Sequence, residues 1–257
     1  MSWSQSYLMF LLVLVRIASY MVSMPVFSIK QIPSLVKLGL VFAMTLFTAP
    51  NLPPLGIEIN SILMLGMIVL QEALLGLMMG YTSTIIFLGI QSAGDLIDFT
   101  AGVKMASSYD PISGTSSSLY SSLYNWLGVV LFINMNGHHY LFKGIVNSFY
   151  VFELGTEYIN SFKLESLIYL ISRSFLIAIQ LALPIGIILF LIDLILGMIS
   201  KIIPQMNVLI LGMSFKIAAS FLIHLLVIAG IIQSISWALD SVITILDYFI
   251  KSLGGGG

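Results

Sequence analysis

Six ionisable residues, Arg16, Glu72, Arg173, Asp193, Lys216 and His224, each lie well inside a long apolar run of this 257-residue chain. That placement restricts the fold more than any other feature. Hydrophobic residues make up 59% of the chain and charged residues 8%, with mean hydropathy +1.07. Soluble domains carry about 25% charged residues, so this chain cannot cover itself with a water-compatible surface and belongs in a bilayer. A charge turned towards lipid costs roughly 2.5–3.5 kcal/mol even on the gentlest scale. The six residues must therefore face protein or water. In so small a chain, that argues for an interior shared with other subunits.

Other classes fall away on composition. Net charge is −1, which leaves no electrostatic footprint for nucleic acid. Cysteine is absent, which removes disulfides, thiolate catalysis and cysteine-ligated metal together. No Lys or Arg precedes the first apolar run, and Arg16 interrupts it. Residues 8–27 are therefore expected as a retained helix and not a cleaved signal. The closing Gly254–Gly257 run reads as a flexible end.

Seven apolar stretches follow one another: residues 8–27, 35–49, 61–90, 119–135, 140–152, 167–200 and 208–250. A bilayer core needs roughly 20 helical residues, so several of these are too short and others too long for upright spans. Helical hairpins of uneven length, packed inside a complex, fit this pattern better than a regular bundle. Pro184 and Gly186 are expected to kink the penultimate stretch, with Gly230 a further candidate in the last. Lysines recur from loop to loop without alternation, so the positive-inside rule assigns no topology.

The longest polar interruption, residues 91–122, holds Asp95, Asp98, Lys104 and Asp110. Asp110-Pro111-Ile112-Ser113-Gly114 has the residue order of a turn. The segment is either a solvated loop or a loop lining an aqueous path, since irregular backbone at membrane depth survives only inside protein or water. Asp95 and Asp98 have the i,i+3 spacing of one helical face. Gly76 and Gly80 form a GxxxG one turn after Glu72, a face on which two helix backbones approach closely. His138 and His139 are adjacent and point about 100° apart on a helix, with no third ligand at useful spacing, so they are expected to pack and not to bind metal. With a turn near Pro204 and Gln205, Asp193 and Lys216 each lie about 11 residues out on opposite arms, at similar depth. They are expected to compensate each other, or else each to face a different neighbour. No HExxH, GxSxG, P-loop or Rossmann fingerprint is present, so no enzyme activity, cofactor or metal is expected.

Several stretches together resemble the FliR/SctT family of type III export proteins. Pro204-Gln-Met-Asn-Val208 followed by Leu211-Gly-Met-Ser-Phe-Lys-Ile217 is similar to the family's PQxNVxxLGxPxKI signature. Gln71-Glu-Ala-Leu-Leu-Gly76 with Gly80, Ala93-Gly-Asp-Leu-Ile-Asp98 with Gly102, Asp110-Pro111, Asn136-Gly-His-His139 and Arg16…Pro25-Val-Phe27…Pro33 extend the likeness. Ser214 stands where the family has proline, and Lys201 where it has arginine. The Asp-Pro-x-Ser-Gly and Pro-Gln-x-Asn-Val motifs favour the flagellar branch over the injectisome branch.

The resemblance implies an all-α membrane protein, one domain over residues 1–250, with a tail at 251–257. It implies a FliP-like part over about 1–155 and a FliQ-like hairpin over about 160–250. It further implies assembly with FliP and FliQ into a helical export gate in the bacterial inner membrane, at the base of the flagellar basal body. FlhB and FlhA would act nearby, and unfolded flagellar subunits would pass through the pore. The end near Ile250 implies a form not fused to FlhB. The family's plug loop maps onto Gly102, Met105, Ala106, Ser107, Ser108, Tyr109, Asp110, Pro111, Ile112, Ser113 and Gly114. Buried charge and packing positions are Arg16, Glu72, Gly76, Gly80, Asp95, Asp98, Arg173, Asp193 and Lys216; Pro204, Gln205 and Asn207 form the hairpin tip. The alternatives are an injectisome SctT-type subunit and a small-solute secondary transporter, which also uses broken helices and intramembrane charges.

Overall fold

The computed structural model describes residues 3–27, 32–56, 61–108, 118–155, 164–202 and 208–253, and all regular structure among them is helical. The helices are α1 (Trp3–Ser23), α2 (Ser34–Thr48), α3 (Ile62–Thr100), α4 (Val103–Ser108), α5 (Leu119–Asn134), α6 (Gly137–Val151), α7 (Leu164–Ile202) and α8 (Val208–Leu253). Five segments are long and apolar enough to cross a bilayer: Gln5–Ser23, Ser34–Asn51, Ile62–Thr100, Glu165–Ile202 and Gly212–Leu246. The protein is an all-α membrane protein. With 16 and 15 residues, α5 and α6 fall short of the roughly 20 needed for a span.

The chain divides into two compact units that interleave along the sequence. The first contains residues 1–85, 135–171 and 240–257; the second contains 86–134 and 172–239. In the first unit, Leu12, Arg16 and Tyr20 recur at i,i+4 with Val13, Ile17 and Met24, and all are wholly buried. One face of α1 is thus a core face with a charge in its middle. The turn Ala49–Asn51 closes α2; Pro50 lies in it, and Asn51 donates from Nδ2 to the Phe47 carbonyl at 2.7 Å.

The GxxxG face is used within the chain. A Cβ added at Gly76 would fall on Ser19 Oγ and the Arg16 carbonyl, and one at Gly80 on Ser23 Oγ and the Tyr20 carbonyl. This close approach allows Ser23 Oγ to donate to the Leu77 carbonyl at 3.3 Å.

Two expectations are corrected. Residues 91–100 are not loop: α3 continues through them to Thr100. Ala93, Ile97 and Ala101 are buried at helical spacing, so the apolar period outlasts the apolar run. The helix ends at Gly102, whose φ of +83° is the left-handed conformation that glycine enters without Cβ strain. Pro184 sits inside an uninterrupted 39-residue α7 and removes one donor without ending the helix. At the C-terminal end, α8 runs to Leu253, past residue 250 where a tail was expected.

Candidate functional site

Charge is concentrated at a buried centre in the first unit and along a polar seam in the second. In the first, the Arg16 guanidinium is fully buried and every arm is engaged. Nε donates to Glu72 Oε2 at 2.5 Å. Nη1 donates to the Ser148 carbonyl at 3.2 Å and Ser148 Oγ at 3.4 Å, and both Nη1 and Nη2 donate to the Phe152 carbonyl at 3.1 Å. Those carbonyls belong to the last turn of α6 and its cap, where a helix presents unsatisfied acceptors and the negative end of its dipole. The Phe149 ring lies 4.3 Å from the guanidinium carbon. The second carboxylate oxygen of Glu72 accepts from the Gly155 amide at 3.1 Å. A compensated pair with this many hydrogen bonds is a device for joining α1, α3 and α6.

In the second unit, Asp98 sits wholly buried near the end of α3. Its Oδ1 accepts from the Tyr120 amide at 3.0 Å and its Oδ2 from the Ser121 amide at 3.1 Å. A carboxylate thus caps the N-terminus of α5 from another helix, where the free amides and the dipole favour it. Replacing Asp98 with Ala is expected to lower stability by about 1–2 kcal/mol, read as a drop in the apparent thermal midpoint in detergent. An unchanged midpoint would show that water caps α5 equally well.

Tyr120 carries the seam onwards to α8. Its ring stacks on His224 at 4.1 Å, and its hydroxyl lies 2.7 Å from Ser220 Oγ. Because Ser220 Oγ donates to the Ile217 carbonyl, the tyrosine is the donor. His224 Nδ1 donates to the Ser220 carbonyl at 2.8 Å, which leaves Nε2 of the neutral ring to accept from Tyr124 at 3.5 Å. The polar contacts of His224 are thus structural.

Lys216 Nζ lies 2.8 Å from both carboxylate oxygens of Asp193, across the α7–α8 hairpin. The pair shares the wall of a cavity of about 390 Å³ with Gly102, Met105, Leu196 and Met213. The start of the segment matched to the plug loop therefore lies against the hairpin that carries the pair. Of that segment, Gly102, Met105, Ala106, Ser107 and Ser108 are described, the last four as residues of α4. Tyr109, Asp110, Pro111, Ile112, Ser113 and Gly114 lie outside the described residues, as do Pro204, Gln205 and Asn207. Arg173 is partly buried, its guanidinium 5.3 Å from the Trp237 ring.

Two positions expected to be buried charges are not buried by this chain. The Asp193 side chain is 49% exposed, and that of Asp95 is 39% exposed in its pair with Lys104 at 2.8 Å. Each sits on a helix face that the chain's own helices leave open. Half-exposure keeps the Asp193–Lys216 coupling near 1 kcal/mol. Reversing either residue alone, Asp193→Lys or Lys216→Asp, is expected to lower the thermal midpoint, and reversing both to restore most of it. Lack of rescue in the double variant would show that the contact is incidental.

The seam around Tyr120, Tyr124 and Ser220 was not visible in the sequence. Its hydrogen bonds from α5 to α8 join residues about 100 positions apart, and a tyrosine in an apolar run reads as packing. The one sequence signal was His224 at helical spacing from Ser220. The rings of His138 and His139 in α6 are tilted 37° to each other, centroids 4.2 Å apart.

Residues 7–242 match the model of the family described as bacterial export proteins, family 1. Among relatives, the flagellar biosynthetic protein FliR of Bacillus subtilis (strain 168) is 34% identical over 219 residues, 83% of each chain. The flagellar biosynthetic protein FliR of Escherichia coli (strain K12) is 30% identical over 199 residues, 77% of this chain and 76% of its own. That of Aquifex aeolicus (strain VF5) is 25% identical over 237 residues, 92% of each.

Proposed function

The chain belongs to the bacterial export proteins, family 1, and we propose that it is a structural subunit of a flagellar type III export gate, assembled with FliP and FliQ around the pore for unfolded flagellar subunits. In this reading residues 1–155 take the FliP-like place and residues 160–250 the FliQ-like hairpin. The gate sits in the bacterial inner membrane at the base of the basal body, with FlhB and FlhA beside it. The chain turns over no substrate, and export energy enters elsewhere in the machine.

The observation that carries the reading is the half-exposed Asp193–Lys216 pair. It lies in two membrane-spanning segments and beside Gly102 and Met105. An open carboxylate at that place is tolerated only against protein or water. A multi-subunit lumen supplies both. Gly102, with its left-handed backbone, would let the segment from Met105 onwards change direction relative to α3, and Met105 would offer a flexible apolar contact in a narrow passage.

Co-expression with the corresponding FliP and FliQ proteins, followed by native mass spectrometry, tests the reading. One copy of this chain in a mixed assembly is the expected result. A lone or purely self-associated chain, under conditions where the other two assemble with each other, would overturn it and favour a small-solute transporter.

A further inference from the structure

Arg173 is a charge within the membrane-spanning segment Glu165–Ile202. Its Nε is buried without a hydrogen-bond partner, and among the described residues no carboxylate is ion-paired with it. Its recorded contact is with the Trp237 ring. Trp237 in turn walls a cavity of about 440 Å³ with Gln180, Gln233 and Ser234. Two amides and a hydroxyl thus line an open space whose tryptophan wall carries the cation Arg173 against its ring.

Depth says what such a place meets. The segment Glu165–Ile202 has 38 residues, about 57 Å at 1.5 Å per residue. A hydrocarbon core of about 30 Å, centred on it, begins roughly nine residues in, near residue 174. The segment Gly212–Leu246 has 35 residues, and the same centring puts its far boundary roughly seven residues from the end, near residue 239. Arg173 and Trp237 therefore lie at the same level, where tryptophan is enriched and arginine reaches headgroups. Below Arg173, the side chains of Phe175, Ile179 and Leu183 repeat at i,i+4 and are 66%, 38% and 49% exposed. They make an apolar stripe that descends from the charge into the core.

We propose that Arg173, Gln180, Gln233, Ser234 and Trp237 form a binding site for the phosphate of an anionic phospholipid. Arg173 pairs with the phosphate, and Gln233 and Ser234 serve the glycerol and ester oxygens about one helical turn deeper. An acyl chain runs along Phe175, Ile179 and Leu183. Arginine suits the task because its planar fork holds two phosphate oxygens at once. A free phosphate would use the charge but not the stripe. A carboxylate on a partner helix would use the charge but not the cavity at headgroup level.

The test is native mass spectrometry of the chain, purified in detergent with whatever subunits accompany it, and titrated separately with phosphatidylglycerol and phosphatidylcholine. The wild type is expected to retain phosphatidylglycerol preferentially. Arg173→Gln should bind it about tenfold more weakly, the loss of about 1.4 kcal/mol, while Arg173→Lys keeps part of the preference. Gln233→Ala with Ser234→Ala leaves the charge in place and should weaken binding about threefold, which guards against misfolding of Arg173→Gln. Millimolar inorganic phosphate should not compete. Equal retention by the wild type and these variants would overturn the proposal, as would competition by free phosphate. Loss of a protein subunit from Arg173→Gln with lipid binding unchanged would also overturn it, assigning the charge to a subunit contact.

Discussion

Arg16→Met is expected to destabilise the first unit by about 3–5 kcal/mol, the cost of leaving a buried charge without its partner. The side chain is replaced by an apolar one of similar length, so packing is largely kept and the loss is electrostatic. Glu72, 3% exposed, would keep the Gly155 amide as a donor but lose its counter-charge. The Ser148 and Phe152 carbonyls would lose their charged donor at the end of α6. Adding Glu72→Met should recover part of the loss, because two apolar residues can replace a buried pair at little net cost. The Ser148 and Phe152 carbonyls still lack the charged donors that Arg16 gave them, so recovery stays incomplete. The measurement is the apparent thermal midpoint in detergent for both singles and the double. A coupling between the two sites below about 0.5 kcal/mol would mean that they act independently and would refute the account.

Gly94→Ala should be nearly as damaging, although it adds one methyl group. Its Cβ would lie 2.5 Å from Ser121 N, Ser121 Cα and the Tyr120 carbonyl carbon. These are backbone atoms at the first turn of α5 and cannot rotate away. The same two residues supply the amides held by Asp98, so displacing α5 also breaks its cap. Overpacking typically costs about 1–3 kcal/mol, and loss of the cap adds about 1 kcal/mol. Together they outweigh the helix-propensity gain of about 1 kcal/mol from replacing glycine. Gly186 is the control: nothing lies within 4 Å of its Cβ position, so Gly186→Ala should be neutral or slightly stabilising. Similar midpoints for the two variants would show that α3 and α5 do not approach as closely as described.

Much of the architecture was legible because lipid is an unforgiving solvent. Every apolar stretch became a helix, since a backbone without water must satisfy its own hydrogen bonds. Expected boundaries failed where one signal was read for two properties. Residues 91–100 are polar enough to resemble a loop, yet Ala93, Ile97 and Ala101 keep the helical period and hold α3 together to Gly102. Pro184, a residue expected to kink its helix, is carried within a continuous α7.

The sequence by itself determined that this protein is helical, membrane-bound and of the export family, because composition, periodicity and motif spacing are local properties. It also showed that Arg16, Glu72, Asp193 and Lys216 need partners, because charge in an apolar run has a cost that does not depend on the fold. For Asp193 and Lys216, similar depth on the two arms of one hairpin already pointed to each other as partners, whereas the partners of Arg16 and of the other buried polar groups were decided by tertiary structure alone. Arg16 meets Glu72 and the end of α6, Asp98 meets the amides that open α5, and Tyr120 meets Ser220 and His224. A hydrogen bond forms between atoms about 3 Å apart in space, and separation along the chain records nothing of that distance once helices fold back on one another.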